Sequence, residues 1–124
     1  MLVEDARNSL TANAIQVEGL THVLWADSDM VFPSDALARL LARGLPVVGG
    51  LCFNRRPPFQ PILGRRYDKA WAYPEKMYGW CYEYTPDALF PVDLTGAGFL
   101  LIQANALEAV SHRFGPEWWS RTEG

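Results

Sequence analysis

The stretch Val23-Leu24-Trp25-Ala26-Asp27-Ser28-Asp29-Met30-Val31-Phe32 restricts this chain more than any other, because an uninterrupted apolar run ends in two carboxylates one residue apart. Successive apolar residues with no polar alternation predict a strand buried on both faces, the kind found inside a parallel α/β sheet. In open α/β sheets ligands bind in the crevice beyond the carboxyl ends of the strands, which is where Asp27 and Asp29 fall. Two acids at such an edge repel each other unless a cation lies between them. A hard divalent ion, Mg²⁺ or Mn²⁺, bridging them to the phosphates of a substrate removes that repulsion, because both ions favour oxygen ligands. The plainer alternative is an ordinary polar turn in which Asp29 caps a backbone amide. The apolar strand before the pair and the helix start Phe32-Pro33-Ser34-Asp35 after it weigh toward the metal–diphosphate reading.

Around this stretch the pattern is that of a βαβ unit. Pro33 with Ser34 or Asp35 opens a helix whose buried stripe is Ala36, Leu37, Leu40 and Leu41, and Gly44 ends it. Pro46-Val47-Val48-Gly49-Gly50-Leu51 reads as the next strand, reached by a right-handed crossover. Gly49 and Gly50 let the backbone approach either a ligand or a neighbouring strand closely. Upstream, Val3, Ala6, Leu10, Ala14 and Val17 recur at helical spacing and predict a helix over 3–17 with that face on the sheet, stopped by Gly19. Arg7, Asn8, Thr11 and Gln16 are then its solvated face.

From Asn54 to Pro91 the texture changes to Arg, Pro and aromatic residues, with strand propensity only at Tyr78-Gly79-Trp80-Cys81-Tyr82-Glu83-Tyr84. An excursion of this length resembles a functional loop or hairpin more than a connection. Its rings, among them Tyr67, Trp71, Tyr73 and Tyr82, could stack on sugars or bases, or simply pack on one another over the sheet edge. Thr95-Gly96-Ala97-Gly98 is a small-residue bend before a buried strand, Phe99-Leu100-Leu101-Ile102. It is followed by a helix over 104–114 that carries Leu107, Val110 and Phe114 on one side and is ended by Gly115-Pro116. Gly-Ala-Gly is a weak phosphate-loop signal, because no helix start follows it directly.

Composition closes off several classes. A formal net charge of −3 with no basic excess argues against nucleic acid as a partner. No apolar run approaches the roughly 18 residues that cross a bilayer, and no charged start precedes an apolar signal segment, so a cytoplasmic protein is expected. Cys52 and Cys81 have no metal-ligand spacing and read as two reduced thiols, with a single disulfide as the alternative. His22 and His112 have no second ligand beside them and need only structural roles.

Taken together, Ala6-Arg7-Asn8, a Gly before a strand ending Asp27-Ser28-Asp29, then Phe32-Pro33, Val48-Gly49-Gly50 and Thr95-Gly96-Ala97-Gly98-Phe99 resemble the GT-A glycosyltransferases, in particular family-2-like and phage or bacterial members. The combination is fairly specific and each part alone is not. The resemblance implies an α/β fold with a GT-A-like (Rossmann-like) mixed sheet flanked by helices. It also divides the chain into 1–53, the βαβ core with Asp-x-Asp, 54–91, the aromatic and Arg-rich excursion, and 92–124, a strand and C-terminal helix. It covers only the middle of the family's domain, which implies a partial one. By position, Asp29 and Asp27 resemble the metal-binding pair, with Asp27 also on the ribose or metal shell. Arg7 and Asn8 resemble nucleotide-side residues, and Gly96, Ala97 and Gly98 the lining of the donor-sugar and acceptor pocket. The cofactor implied is Mn²⁺ or Mg²⁺, the donor a nucleotide-diphosphate sugar and the acceptor a saccharide or other hydroxyl. A general base is not evident; of Asp93, Glu117 and Glu123, Asp93 is the first candidate catalytic residue.

Two rival functions remain open at this level. A nucleotidyltransferase would also hold a metal at a strand end, but its Gly-rich amino-terminal loop is missing from the sequence. A non-catalytic carbohydrate-binding or assembly module would use the aromatic excursion to bind saccharide or a second copy. A sheet without its usual neighbours leaves an edge and an apolar face exposed, so a homodimer or larger oligomer is expected.

Overall fold

The computed structural model describes residues 3–66, 78–80 and 83–120. Its elements are α1 (Val3–Ala14), β1 (His22–Ala26), α2 (Ala36–Leu41), β2 (Val47–Gly49), β3 (Leu63–Arg66), β4 (Tyr78–Trp80), β5 (Leu94–Thr95), β6 (Phe99–Gln103) and α3 (Ala104–Phe114). This is a small mixed α/β arrangement built on two three-stranded sheets, ordered β1-β6-β2 and β4-β3-β5.

The described pairings of the first sheet are all antiparallel, whereas the β1 run pointed to a parallel neighbour and the resemblance to a mixed sheet. β6 lies between β1 and β2 and pairs antiparallel with both, Leu24 opposite Leu101 and Val48 opposite Leu101. β1 and β2 therefore run in the same direction without touching, and the β1–α2–β2 crossover passes over an intervening strand. The apolar run of β1 could not reveal this, because parallel and antiparallel neighbours ask the same of a strand covered on two faces. Nor is β1 fully buried: among the described residues it pairs on one side only, and from His22 to Trp25 it is half-buried. The strand buried throughout is β6, whose Phe99 to Ile102 are the least exposed run in the sheet.

Strand alternation sorts the core into two layers. Val23, Trp25, Leu100 and Ile102 share one face by their pairing and pack with Ile15, Leu107, Trp118 and Trp119. Leu24, Leu101, Val48 and Phe99 form the other, where the Phe32 ring meets Phe99 at 4.5 Å between centroids. Gly50 serves that packing, since a Cβ there would stand 3.2 Å from the Phe99 ring, and Gly49 serves the other layer, where a Cβ would stand 3.4 Å from Leu100.

α1 is rotated from the expected orientation, and it ends at Ala14: of the stripe expected to face the sheet only Ala6 and Ala14 are half-buried. Val3, Leu10 and Val17 are 63%, 58% and 59% exposed, whereas Thr11 is wholly buried. The polar residues face inward because the C-terminal tryptophans give them partners. The Asn8 amide donates to the Trp119 carbonyl at 2.7 Å and its oxygen accepts the Trp119 N–H at 2.9 Å. Thr11 donates to the Arg7 carbonyl at 2.7 Å and accepts the Trp119 indole N–H at 3.3 Å. Arg7 lies over the Trp119 ring at 4.9 Å, a cation–π contact. On α2 only Ala36 and Leu40 of the expected stripe are half-buried, Leu37 and Leu41 being largely exposed. α3 has the bounds expected, with Leu107 inside and Phe114 outside.

The excursion contributes two strands of the second sheet, β3 and β4, and β5 follows it. β3 pairs antiparallel with β4 through Arg65 opposite Gly79, and with β5 through Leu63 opposite Thr95. Tyr67, Trp71, Tyr73, Cys81 and Tyr82 lie outside the described residues, as does Glu123. No helix among the described residues is long and apolar enough to cross a membrane.

Candidate functional site

The acidic pair sits where the β1–β6 pairing runs out. The Asp27 N–H still donates to the Gly98 carbonyl at 3.0 Å, extending the ladder by a residue, and the Met30 N–H then donates to the Asp27 carbonyl at 3.0 Å. That second bond closes a turn with Ser28 and Asp29 at its tip. The turn foreseen as the plain alternative is thus present, but the backbone closes it, and Asp29 ion-pairs with Arg55 instead.

Gly98 is the floor of this site. A Cβ there would lie 2.6 Å from Met30 Cε, 3.4 Å from Asp27 Oδ2 and 3.4 Å from Cys52 Sγ, so three side chains converge over the glycine and the Met30 end fills the place a side chain would take. Gly98→Ala is expected to push the flexible Met30 end aside and crowd the Asp27 carboxylate, weakening ligand binding at the pair while lowering stability by only about 1 kcal/mol. Thermal melting and Mn²⁺ titration of the variant check both halves.

Cys52 is half-buried and its thiol lies 3.6 Å from the Gly50 carbonyl. Burial pushes the thiol above its usual range, the nearby Asp27 charge adds to that, and a backbone hydrogen bond from Phe99 offsets it only in part. The thiolate is the reactive form. Alkylation of Cys52 by iodoacetamide, followed by peptide mass spectrometry, is therefore expected to be slower than that of a free thiol across neutral and mildly alkaline pH.

The other residues singled out in the sequence fall in several places. Arg7 and Asn8 are held against Trp119, Arg7 also lying 5.9 Å from the Trp25 ring. Ala97 packs into the core and Gly96 contacts Ile62, leaving Gly98 as the member of that trio beside Asp27. Asp93 precedes β5, its N–H donating to the Gly64 carbonyl at 3.0 Å. It lines an open cavity of about 1020 Å³ that includes Met30, Phe32, Cys52, Phe53 and Tyr84. The two acids do not line that cavity; Met30 and Cys52 connect it to them. Arg55, Met30 and Cys52 were not foreseen as neighbours of the pair. The Arg55-Arg56 doublet was visible, but nothing in spacing ties a residue after β2 to the turn after β1.

Asp27 and Asp29 suit a hard divalent ion by donor chemistry and by the cation already resting on Asp29. Among the described residues no group of three His, Cys, Asp or Glu converges, so such an ion would need water and ligand oxygens to complete its shell. No family model, curated protein or solved structure matches the chain.

Proposed function

We propose that this chain is a GT-A-like, nucleotide-diphosphate-sugar-binding domain of the glycosyltransferase type, acting with Mn²⁺ or Mg²⁺ on a saccharide or other hydroxyl acceptor. The observation that carries the reading is the carboxylate pair just beyond the carboxyl end of β1, with Asp27 beside Gly98, the residue that precedes β6. Asp27 and Asp29 hold the divalent ion, which when bound supplies stabilisation of charge on the departing diphosphate. Arg7, held over the Trp119 ring, is the cation assigned to the nucleotide side. Asp93, on the wall of the adjoining cavity, is the candidate base for the acceptor hydroxyl.

Two carboxylates cannot fill an octahedral shell, so metal and nucleoside diphosphate are expected to tighten one another's binding. Calorimetric titration of each in the presence and absence of the other tests this, and independence of the two would sink the reading. The exposed apolar stripe Val3, Leu10 and Val17 favours a second reading, an assembly module that self-associates. It needs no metal and predicts an oligomer by light scattering.

A further inference from the structure

We infer that Arg55 is an exchangeable counter-ion, pairing with Asp29 while no divalent ion is bound and turning to the diphosphate when one takes the carboxylate. The inference rests on the metal–diphosphate reading above and adds a residue and a sequence of contacts to it.

The ion pair joins two separately anchored loops. Asp29 stands on the turn closed by Met30 and Asp27. Arg55 stands on the loop that leaves β2, which is cross-tied by Asn54 N–H to the Gln60 carbonyl at 2.9 Å and by Ile62 N–H to the Cys52 carbonyl at 2.8 Å. The root of Arg55 is thus fixed next to a hydrogen-bonded residue, while its long side chain is free to swing. Its side chain is 77% exposed and that of Asp29 51%, so releasing the pair uncovers no buried charge. Arg7 is the contrast, its guanidinium held over an indole ring.

A guanidinium and a divalent ion cannot both occupy Asp29 without like-charge repulsion. Arginine forms the same forked contact with carboxylate and with phosphate oxygens, so a diphosphate arriving with the ion gives Arg55 an equivalent partner a short swing away. Linkage then fixes the sign. The ion alone must displace Arg55, whereas the ion with a diphosphate meets no such cost, and the displaced cation adds to the coupling between them.

The test compares wild type, Arg55→Ala, Arg55→Lys and Arg55→Ala combined with Asp29→Asn. Binding of Mn²⁺ is followed by the paramagnetic resonance of the free ion, alone and with inorganic pyrophosphate, against a protein-free blank that removes chelation. Arg55→Ala should bind Mn²⁺ alone about fivefold tighter, the effect of one unit charge near an exposed site, and pyrophosphate should then enhance binding less than in wild type. Arg55→Lys should stay near wild type for the ion alone, and the double variant should lose the gain. If wild type binds Mn²⁺ and Arg55→Ala binds it equally with equal enhancement, Arg55 is a plain surface partner and only this inference fails. A gain that survives Asp29→Asn overturns it as well. If no variant binds Mn²⁺ under either condition, the metal reading fails and takes the inference with it.

Discussion

Asp29→Asn is expected to abolish the mutual enhancement between Mn²⁺ and a nucleoside diphosphate while leaving the melting temperature of the ligand-free chain nearly unchanged. The substitution keeps shape and removes charge. A carboxylate facing a divalent ion at a half-exposed position contributes on the order of 100-fold in affinity, once the Coulomb term is discounted for solvent screening. The cost to the fold is small for a structural reason. The turn is closed by the Met30 and Asp27 backbone, and the partner lost is the exposed Arg55. Surface pairs of that kind contribute roughly 0–1 kcal/mol, a shift of at most about 4 °C for a domain of this size. Asp27→Asn should weaken binding less. A drop of many degrees in Asp29→Asn without ligand would instead show that the side chain holds the turn together.

The parts of this architecture that were legible in the sequence are those where a local pattern and its partner agree. β6 and α3 stand where their apolar run and helical period put them, because Leu100, Leu101, Ile102 and Leu107 are buried whatever their neighbours are. Strand pairing was not legible, since β6 inserts between β1 and β2 from more than fifty residues further along the chain. The inward face of α1 was missed for a different reason. Periodicity scores Val3, Leu10 and Val17 as the buried stripe, but the tryptophans at 118 and 119 bring hydrogen-bonding groups as well as rings, and these select Arg7, Asn8 and Thr11. At the site, the acidic pair at a strand end could be read directly. The residues themselves showed Gly98 as a bend, the resemblance gave it as part of a pocket lining, and Arg55 reaches Asp29 through loop geometry that no spacing encodes.

That inverted helix face gives the second large effect. Trp119→Ala removes at once the ring under Arg7, the edge-to-face partner of Trp25 at 5.2 Å, and the indole N–H that Thr11 accepts. Truncating a packed tryptophan costs about 3–5 kcal/mol, and the lower end applies to a half-buried ring, so the melting temperature should fall by roughly 10 °C or more. Trp119→Phe keeps a ring and loses the N–H, and its loss should be about 1 kcal/mol. Asn8→Ala carries the argument to the site, because it leaves the Trp119 backbone N–H and carbonyl without their partner and should cost about 1–3 kcal/mol. If Asn8 serves the fold in this way, Asn8→Ala lowers the melting temperature, and nucleoside-diphosphate affinity, measured well below the melt, changes little. The opposite pattern, lost affinity with an unchanged melt, would make Asn8 a nucleotide-side residue as the family resemblance implies, and would mean that the contact with Trp119 opens when the ligand binds.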